Sequence, residues 1–354
     1  MSPMRRQTVT IKHVAAEAGV SLQTVSRVIN KEPHVRPAVL ERVEAAVAKL
    51  GYVPSLAARR MGGSRSYLIL ALNDRDRTIE GWQSDGGTDW VDQMLLGGML
   101  KCAEHGYRMI FELVDTHAAH VEREISAAIS SLHPDGIILT PPHGDNPVIT
   151  DLLTRLRVPF ARIGSAGEGA GFSIAMDEAA AAAAATDHLV QLGHSRIGFV
   201  TGSDEYALSV TRLEGWRRAM AAAGLAAGDD LVRHGDFTFR SGAAAAETLV
   251  SGPQPVTAIV ASNDQMALAA LHVAQDRGLA VPGDLSIISF DDTPITRFSV
   301  PPLTAIAQPI AAMASRAAEL LIEARGQPAE TAEASVLPFR LVARASTGPV
   351  RADG

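Results

Sequence analysis

Cysteine is almost absent: Cys102 stands alone in 354 residues, so no disulfide can form within the chain. A lone thiol fits a reducing compartment, and the expected location is the cytoplasm. Long apolar runs are missing too, which excludes a helical membrane span. The opening "MSPMRRQTVTIKHV" carries two arginines but no apolar stretch, so it does not read as a signal peptide. Catalytic signatures are equally scarce. "GSAGEGAG" (164–171) is glycine-rich but lacks the strand and helix context of a phosphate cradle; it reads as a flexible loop between lobes. "GHSRIG" has the wrong spacing for a nucleophile elbow, because Ser195 leads into a strand. His117 and His120 have only Asp115 nearby, too few ligands for a metal. Asp291 and Asp292 are adjacent and would point in different directions, which argues against an acid/base pair. The expectation is therefore a non-enzyme without metal or cofactor.

Present in quantity is apolar material, 47% of residues, enough for the cores of two or three domains. The charge is uneven. Residues 1–65 hold 11 Lys/Arg and 4 Asp/Glu, a surplus of +7; the remaining 21 Lys/Arg and 35 Asp/Glu give -14, and the whole chain -7. A basic head on an acidic body points to a polyanion at the head only, although a solvated basic helical domain would carry the same charge.

The pattern within the head separates those readings. Thr10 precedes Ile11, Val14, Ala15 and Ala18, spaced as one helix face, and its hydroxyl can cap the helix. Gly19 breaks that helix, and Ser21 can cap a second, running to about Asn30. A third follows Pro37, with Val39, Leu40, Val43, Val47 and Leu50 on one side and Gly51 at its end. Helix, glycine turn, helix and supporting helix is the helix-turn-helix arrangement, although a three-helix bundle serving protein contacts has similar periodicity. In "VSLQTVSRVIN", Val25, Val28 and Ile29 would anchor the second helix while Gln23 and Arg27 face outward. Glutamine suits the forked edge of adenine and arginine that of guanine. Ser21, Thr24 and Ser26 are short donors suited to phosphates, which position the protein without specifying sequence.

"GYVPSLAARRMGGSRS" follows, with a start signal at Pro54 and Ser55 and about two helical turns in "LAARRM". So short a helix is marginal alone in water and could order on DNA; a plain basic linker is the alternative. From Ser66 onward strands such as "YLILAL", "DGIILT", "RIGFVTG" and "LSIISFDD" alternate with helical stretches. That alternation predicts mostly parallel sheets covered by helices, in two lobes with a cleft between them. Ligands in such sheets bind beyond the carboxyl ends of strands. The run "AAAAAAAT" (179–186) reads as a close-packed helix.

Nearly end to end, the chain resembles transcription regulators of the LacI/GalR family. The resemblance rests on "TIKHVAAEAGVSLQTVSRVINKEPHVRPAVLERVEAAVAKLGYVPSLAARRM", then "HLVQLGHSRIGFVTG", "RLEGW", "NDQMALAAL", "VPGDLSIISFDD" and "PPLTAIAQP", in order and spacing. The segment "NDRDRTIEGWQSDGGTDW" (73–90) departs from it, as a first-strand loop longer than usual. The resemblance implies an all-α helix-turn-helix DNA-binding domain at 1–54 and a hinge helix and linker at 55–65. It also implies a two-lobed α/β periplasmic-binding-protein-like effector domain, with lobes at 66–175 plus 308–335 and 176–307 plus 336–354. Leu22, Gln23 and Arg27 would read bases; Thr10, Ser21, Thr24, Ser26, Asn30 and His34 would hold the backbone or groove edge. Ser55, Ala58, Arg59 and Met61 would form the minor-groove hinge, with Met61 where a leucine wedge is usual. Asn73, Arg212, Asn263 and Asp291 would hold an effector, with Phe237 stacking on it, while Gly164 replaces an acid some members carry.

The implied protein is a cytoplasmic, nucleoid-associated homodimer that binds double-stranded, pseudo-palindromic operator DNA and answers to a small effector, a sugar by family frequency. A purine- or nucleoside-responsive corepressor system and a solute receptor without catalytic activity are the alternatives. The ending "LVARASTGPVRADG" shows no leucine heptad, so a dimer rather than a tetramer is expected. On this reading Arg27→Ala costs about 1–3 kcal/mol on the cognate operator and relaxes one base position. Binding measured against a set of single-base operator variants checks it, and an unchanged sequence preference would refute the assignment.

Overall fold

The computed structural model describes residues 9–29, 35–52, 65–83, 89–165, 169–329 and 334–351, in two compact units, Met1–Tyr67 and Leu68–Gly354. The first contains α1 (Ile11–Ala18), α2 (Leu22–Ile29) and α3 (Pro37–Leu50). Thr10 stands at the N-cap of α1, its amide donating to Nδ1 of His13 (3.1 Å). Gly19 closes α1 at φ 64° and Gly51 closes α3 at φ 59°, left-handed conformations that glycine adopts without a Cβ penalty. Val14, Ala15, Ala18, Val25, Val28, Val43, Ala46 and Tyr52 form one buried cluster. Leu40, assigned to the inner face of α3 by spacing, is exposed, and Ala46 is buried with Val43 instead.

The second unit begins with β1 (Leu68–Asp74), α4 (Arg75–Gln83), α5 (Asp89–Glu104), β2 (Arg108–Val114), α6 (Val121–Leu132) and β3 (Gly136–Leu139). It continues through α7 (Pro147–Arg155), β4 (Phe160–Ile163), β5 (Phe172–Ala175), α8 (Glu178–Gln191), β6 (Ile197–Thr201) and α9 (Ala207–Ala222). Then come β7 (Val232–His234), α10 (Phe239–Ser251), β8 (Ala258–Ala261), α11 (Asp264–Asp276), β9 (Ser286–Asp291) and the short α12 (Ile295–Phe298). The series closes with β10 (Thr304–Ala307), α13 (Ile310–Ala324), β11 (Ser335–Val336) and β12 (Arg340–Val342).

The described strands form two sheets, ordered β11-β5-β4-β3-β1-β2 and β12-β10-β9-β8-β6-β7. Every pairing is parallel except β10 with β12. Helices cover the sheets, so β1, β3, β4, β6 and β8 are buried along their whole length. Burial on both sides explains why they read as continuous apolar runs rather than alternating ones. The chain passes from the first sheet to the second between β5 and β6, returns between β10 and β11, and leaves again before β12. Thus α13, which follows a strand of the second sheet, packs on β3, β4, β5 and α5 of the first.

Two helix pairs approach closely enough to need glycine. A Cβ on Gly97 of α5 would lie 1.9 Å from the carbonyl oxygen of Ala311 in α13. One on Gly215 of α9 would lie 2.2 Å from that of Ala179 in α8. The alanine run of α8 is the partner surface of that second crossing, and Ala181, Ala182 and Ala185 are buried in it.

Two expectations change. The segment 73–90 is not a long loop: α4 occupies Arg75–Gln83, capped by Asp74 Oδ1, which accepts from the Arg77 amide (2.9 Å), and α5 starts at Asp89. The glycine-rich stretch 164–171 does not run between lobes, because it joins β4 to β5 within one sheet. Gly215→Ala is expected to lower stability by about 1–3 kcal/mol, since the added methyl meets backbone and cannot be accommodated by rotamer change. Thermal denaturation measures this, and an unchanged midpoint would mean that the α8–α9 crossing yields.

Candidate nucleic-acid interface and ligand cleft

In the N-terminal unit, α2 presents Leu22, Gln23 and Arg27 on its exposed face, while Val25 and Val28 are buried beneath it. Gln23 and Arg27 are one turn apart, so they project side by side. Ser21 Oγ accepts from the Thr24 amide (3.1 Å) and shares a hydrogen bond with Thr24 Oγ1 (2.9 Å). Both hydroxyls are thus first used to start the helix. Ser26 is half-buried, and Thr10 is exposed at the start of α1. Asn30, His34, Ser55, Ala58, Arg59 and Met61 lie outside the described residues.

The second unit holds a cavity of about 720 Å³ at the carboxyl ends of its parallel strands. The five positions assigned to the effector, Asn73, Arg212, Phe237, Asn263 and Asp291, all line it. They come from the ends of β1, β8 and β9, from α9, and from the loop before α10. Gly164 is not part of the wall; its φ is 77°, and a Cβ there would meet Pro141 at 3.0 Å.

Arg212 forms the floor. Its side chain is 2% exposed, its Nε donates to Glu178 Oε2 (2.7 Å), and its guanidinium lies 4.4 Å from the Phe290 ring centre. The ion pair is with Glu178, a residue sequence reasoning did not single out, because one glutamate before an alanine run carries no distinguishing signal. Asp291 ends β9 at φ 92°, a left-handed backbone that costs an aspartate strain. Burial pushes its carboxyl up to about 6; the Arg212 charge opposes that shift and Glu178 reinforces it. Beside it, Asp264 is also raised, by burial and by the Asp291 charge. Ser289 and both the amide and hydroxyl of Thr293 (2.8 and 2.7 Å) donate to Asp264 and counter the rise. The adjacent Asp292 turns away and pairs with Arg344 (2.6 Å).

The asparagines carry structural duties as well. Asn263 caps α11, accepting from the Met266 amide (2.9 Å), and its Nδ2 donates to the Phe237 carbonyl (2.8 Å). Asn73 Oδ1 accepts from Thr140 Oγ1 (2.6 Å), and its amide donates to Thr78. An amide group has two donor hydrogens and two lone pairs, so each retains capacity for a ligand. Phe237 meets Tyr206 edge to face, ring centres 5.1 Å apart, and the missing side chain of Gly202 leaves its ring room. Gln308 lines the same cavity, and its buried Oε1 has no hydrogen-bond partner among the described residues. Tyr206, Trp90, Arg77 and Gln308 were not found from sequence; Trp90 and Arg77 belong to the 73–90 segment that departs from family pattern.

Comparison with known proteins agrees with this geometry. Residues 10–55 match the family model "Bacterial regulatory proteins, lacI family", and residues 186–347 match the "Periplasmic binding protein-like domain". The HTH-type transcriptional regulator CelR of Thermobifida fusca is 33% identical over 90% of this chain and 92% of its own. Catabolite control protein A of Priestia megaterium is 31% identical, covering 96% of this chain and 99% of its own. Among solved structures, a CelR–cellobiose complex superposes with a TM-score of 0.70 at 30% identity, covering 96% of this chain and 99% of that one. A lac repressor dimer bound to operator and the anti-inducer ONPF gives 0.76 at 27%, covering 97% and 100%.

A carboxyl whose pKa is higher in the fold than in the unfolded chain holds its proton more tightly when folded. The Asp291 penalty is therefore absent below its ordinary value of 3.8 and complete above about 6. Asp291→Asn should gain thermal stability relative to the unsubstituted protein as pH rises through that window. Paired melts at the two ends would show it, and a pH-independent difference would contradict it.

Proposed function

The chain belongs to the LacI family of bacterial regulatory proteins and is a DNA-binding transcriptional regulator with a small-molecule effector; we propose that it is a repressor whose effector is a neutral sugar. The observation that carries this reading is the convergence of Asn73, Arg212, Phe237, Asn263 and Asp291, from separate stretches of chain, on one cavity. A guanidinium, carboxylates and amides together donate to and accept from vicinal hydroxyls, and aromatic rings cover the apolar face of a pyranose. Gln308 Oε1, buried and unpaired, offers one more acceptor for a hydroxyl. The wall argues against an anionic ligand: Arg212 is already paired with Glu178, and Asp74, Glu80 and Asp89 oppose the remaining Arg77 and Arg240. The named ligand of the CelR complex, cellobiose, is a neutral sugar.

On this proposal residues 1–54 read DNA through Leu22, Gln23 and Arg27, and residues 55–65 act as the hinge. The lobes are 66–175 with 308–335, and 176–307 with 336–354. Effector and operator then act on one conformational equilibrium, so each changes the affinity for the other by the same factor. We propose a cytoplasmic homodimer without catalytic activity. Leu96, Met99 and Leu100 form an apolar stripe along α5 with about half of each side chain exposed, and Phe298 and Val300 are more exposed still. A partner subunit would cover such surfaces, and a two-fold pair would match a pseudo-palindromic operator.

Gel shifts with a palindromic operator, repeated with mono- and disaccharides and with purines, test the function. A neutral sugar should alter operator binding. Asp291→Ala should retain operator binding and lose that response; a variant responding at the same sugar concentration as wild type would remove Asp291 from the site. Leu100→Glu should sediment as a monomer and bind operator weakly, and an intact dimer would show that α5 lies outside the interface.

A further inference from the structure

Helix α4, in the segment that departs from the family pattern, places one side chain across the cleft. Arg77 belongs to the lobe of the first sheet. Its Nη1 donates to the backbone carbonyl of Asp236 (2.9 Å), in the loop after β7 of the second sheet. Its guanidinium carbon lies 4.8 Å from the ring centre of Phe237 and 5.3 Å from that of Tyr206. A planar cation over two aromatic faces is attracted by both ring quadrupoles while its fork of N–H groups stays free to bond.

Both ends of this contact are held. On one side, Asp74 caps α4 at the Arg77 amide (2.9 Å), and Thr116 Oγ1 holds the other oxygen of Asp74 (2.7 Å). On the other, Phe237 has a left-handed backbone, φ 67°, a conformation that persists only where the surroundings over-determine it. Those surroundings are the Asn263 amide on its carbonyl (2.8 Å), Tyr206 against its ring, and the Arg77 guanidinium.

We propose that Arg77 is a positioning residue for the effector response. It ties the lobe of the first sheet to the Tyr206–Phe237 corner of the second and holds the Phe237 ring in place as a wall of the cleft. Lobe separation and the shape of the ligand wall are then coupled through this side chain. This rests on the reading of the cleft as the effector site, but its physical content can be measured without a ligand.

The test is amide hydrogen exchange on the full-length protein, comparing wild type, Arg77→Ala and Arg77→Lys. Local opening sets exchange rates, and a partly exposed cation–π contact together with its hydrogen bond corresponds to about a tenfold change. In Arg77→Ala, peptides spanning 203–208 and 236–239 should exchange about tenfold faster, while peptides of α5 and α13 keep the wild-type rate and report an intact fold. Arg77→Lys, which keeps the charge and loses the planar fork, should fall between the two. Unchanged exchange at 203–208 and 236–239 in Arg77→Ala overturns the proposal, as does Arg77→Lys matching Arg77→Ala. In a parallel arm, cellobiose is titrated by intrinsic tryptophan fluorescence. Weaker cellobiose binding by Arg77→Ala supports the positioning role. No response of wild-type protein to cellobiose or glucose counts against the sugar reading and leaves the exchange result standing.

Discussion

The floor of the cleft is organised around one buried positive charge, that of Arg212. A guanidinium as deeply buried as that of Arg212 is tolerated only when opposite charge and hydrogen bonds replace its lost water. Glu178 supplies the charge from the start of α8, the Ser262 carbonyl accepts from the end of β8, and the Phe290 ring of β9 lies beside the cation. One side chain therefore sets the relative positions of a helix and two strands. It also sets the electrostatics of the floor, where Asp291 and Asp264 share a poorly solvated site and both hold protons more tightly than free carboxyls do. On the proposed reading the site gives up stability for function: an aspartate with a strained backbone and an unfavourable charge stands where a ligand could use it.

Around that floor the two lobes repeat one construction. Each is a parallel sheet sheathed by helices, and each has a helix crossing so close that one partner must be glycine, Gly97 against Ala311 and Gly215 against Ala179. Close backbone packing ties the helices of each lobe together. Side-chain contacts also bridge the cleft. Arg77 on the Tyr206–Phe237 corner is one, and the exposed pair His117–Glu205 (2.9 Å) is another. On the proposed reading, contacts of this kind are what a small ligand would act on to shift a conformational equilibrium by its own binding energy.

Much of this was legible in the residues. Buried parallel strands announce themselves as apolar runs, because both faces are covered, and "YLILAL" and "DGIILT" are strands where expected. Gly19 and Gly51 mark helix ends because left-handed turns favour glycine. Family resemblance carried five effector positions to one cavity. The misses share a physical cause. Leu40 fits the helical period of α3 yet is exposed, because the neighbouring helices cover only a narrow stripe and Ala46 falls within it. The segment 73–90 carries no clear helix signal because α4 is polar, with Arg75, Asp76, Arg77 and Glu80 among its nine residues, and shows little apolar periodicity.

Local sequence determined the helix-turn-helix head, the βα alternation and the basic-head, acidic-body division, since capping, periodicity and net charge are properties of neighbours in the chain. It also determined that Gln23 and Arg27 share a helix face, because one turn separates them. Tertiary structure alone decided that Arg212 pairs with Glu178 rather than with Asp291, that Gln308 keeps an unpaired acceptor in the wall, and that Arg77 reaches Phe237 across the cleft. Those partners lie tens to more than a hundred residues apart. Which of several like charges becomes the buried counter-ion depends on desolvation and angstrom-scale distance, and neither quantity exists until the chain has folded.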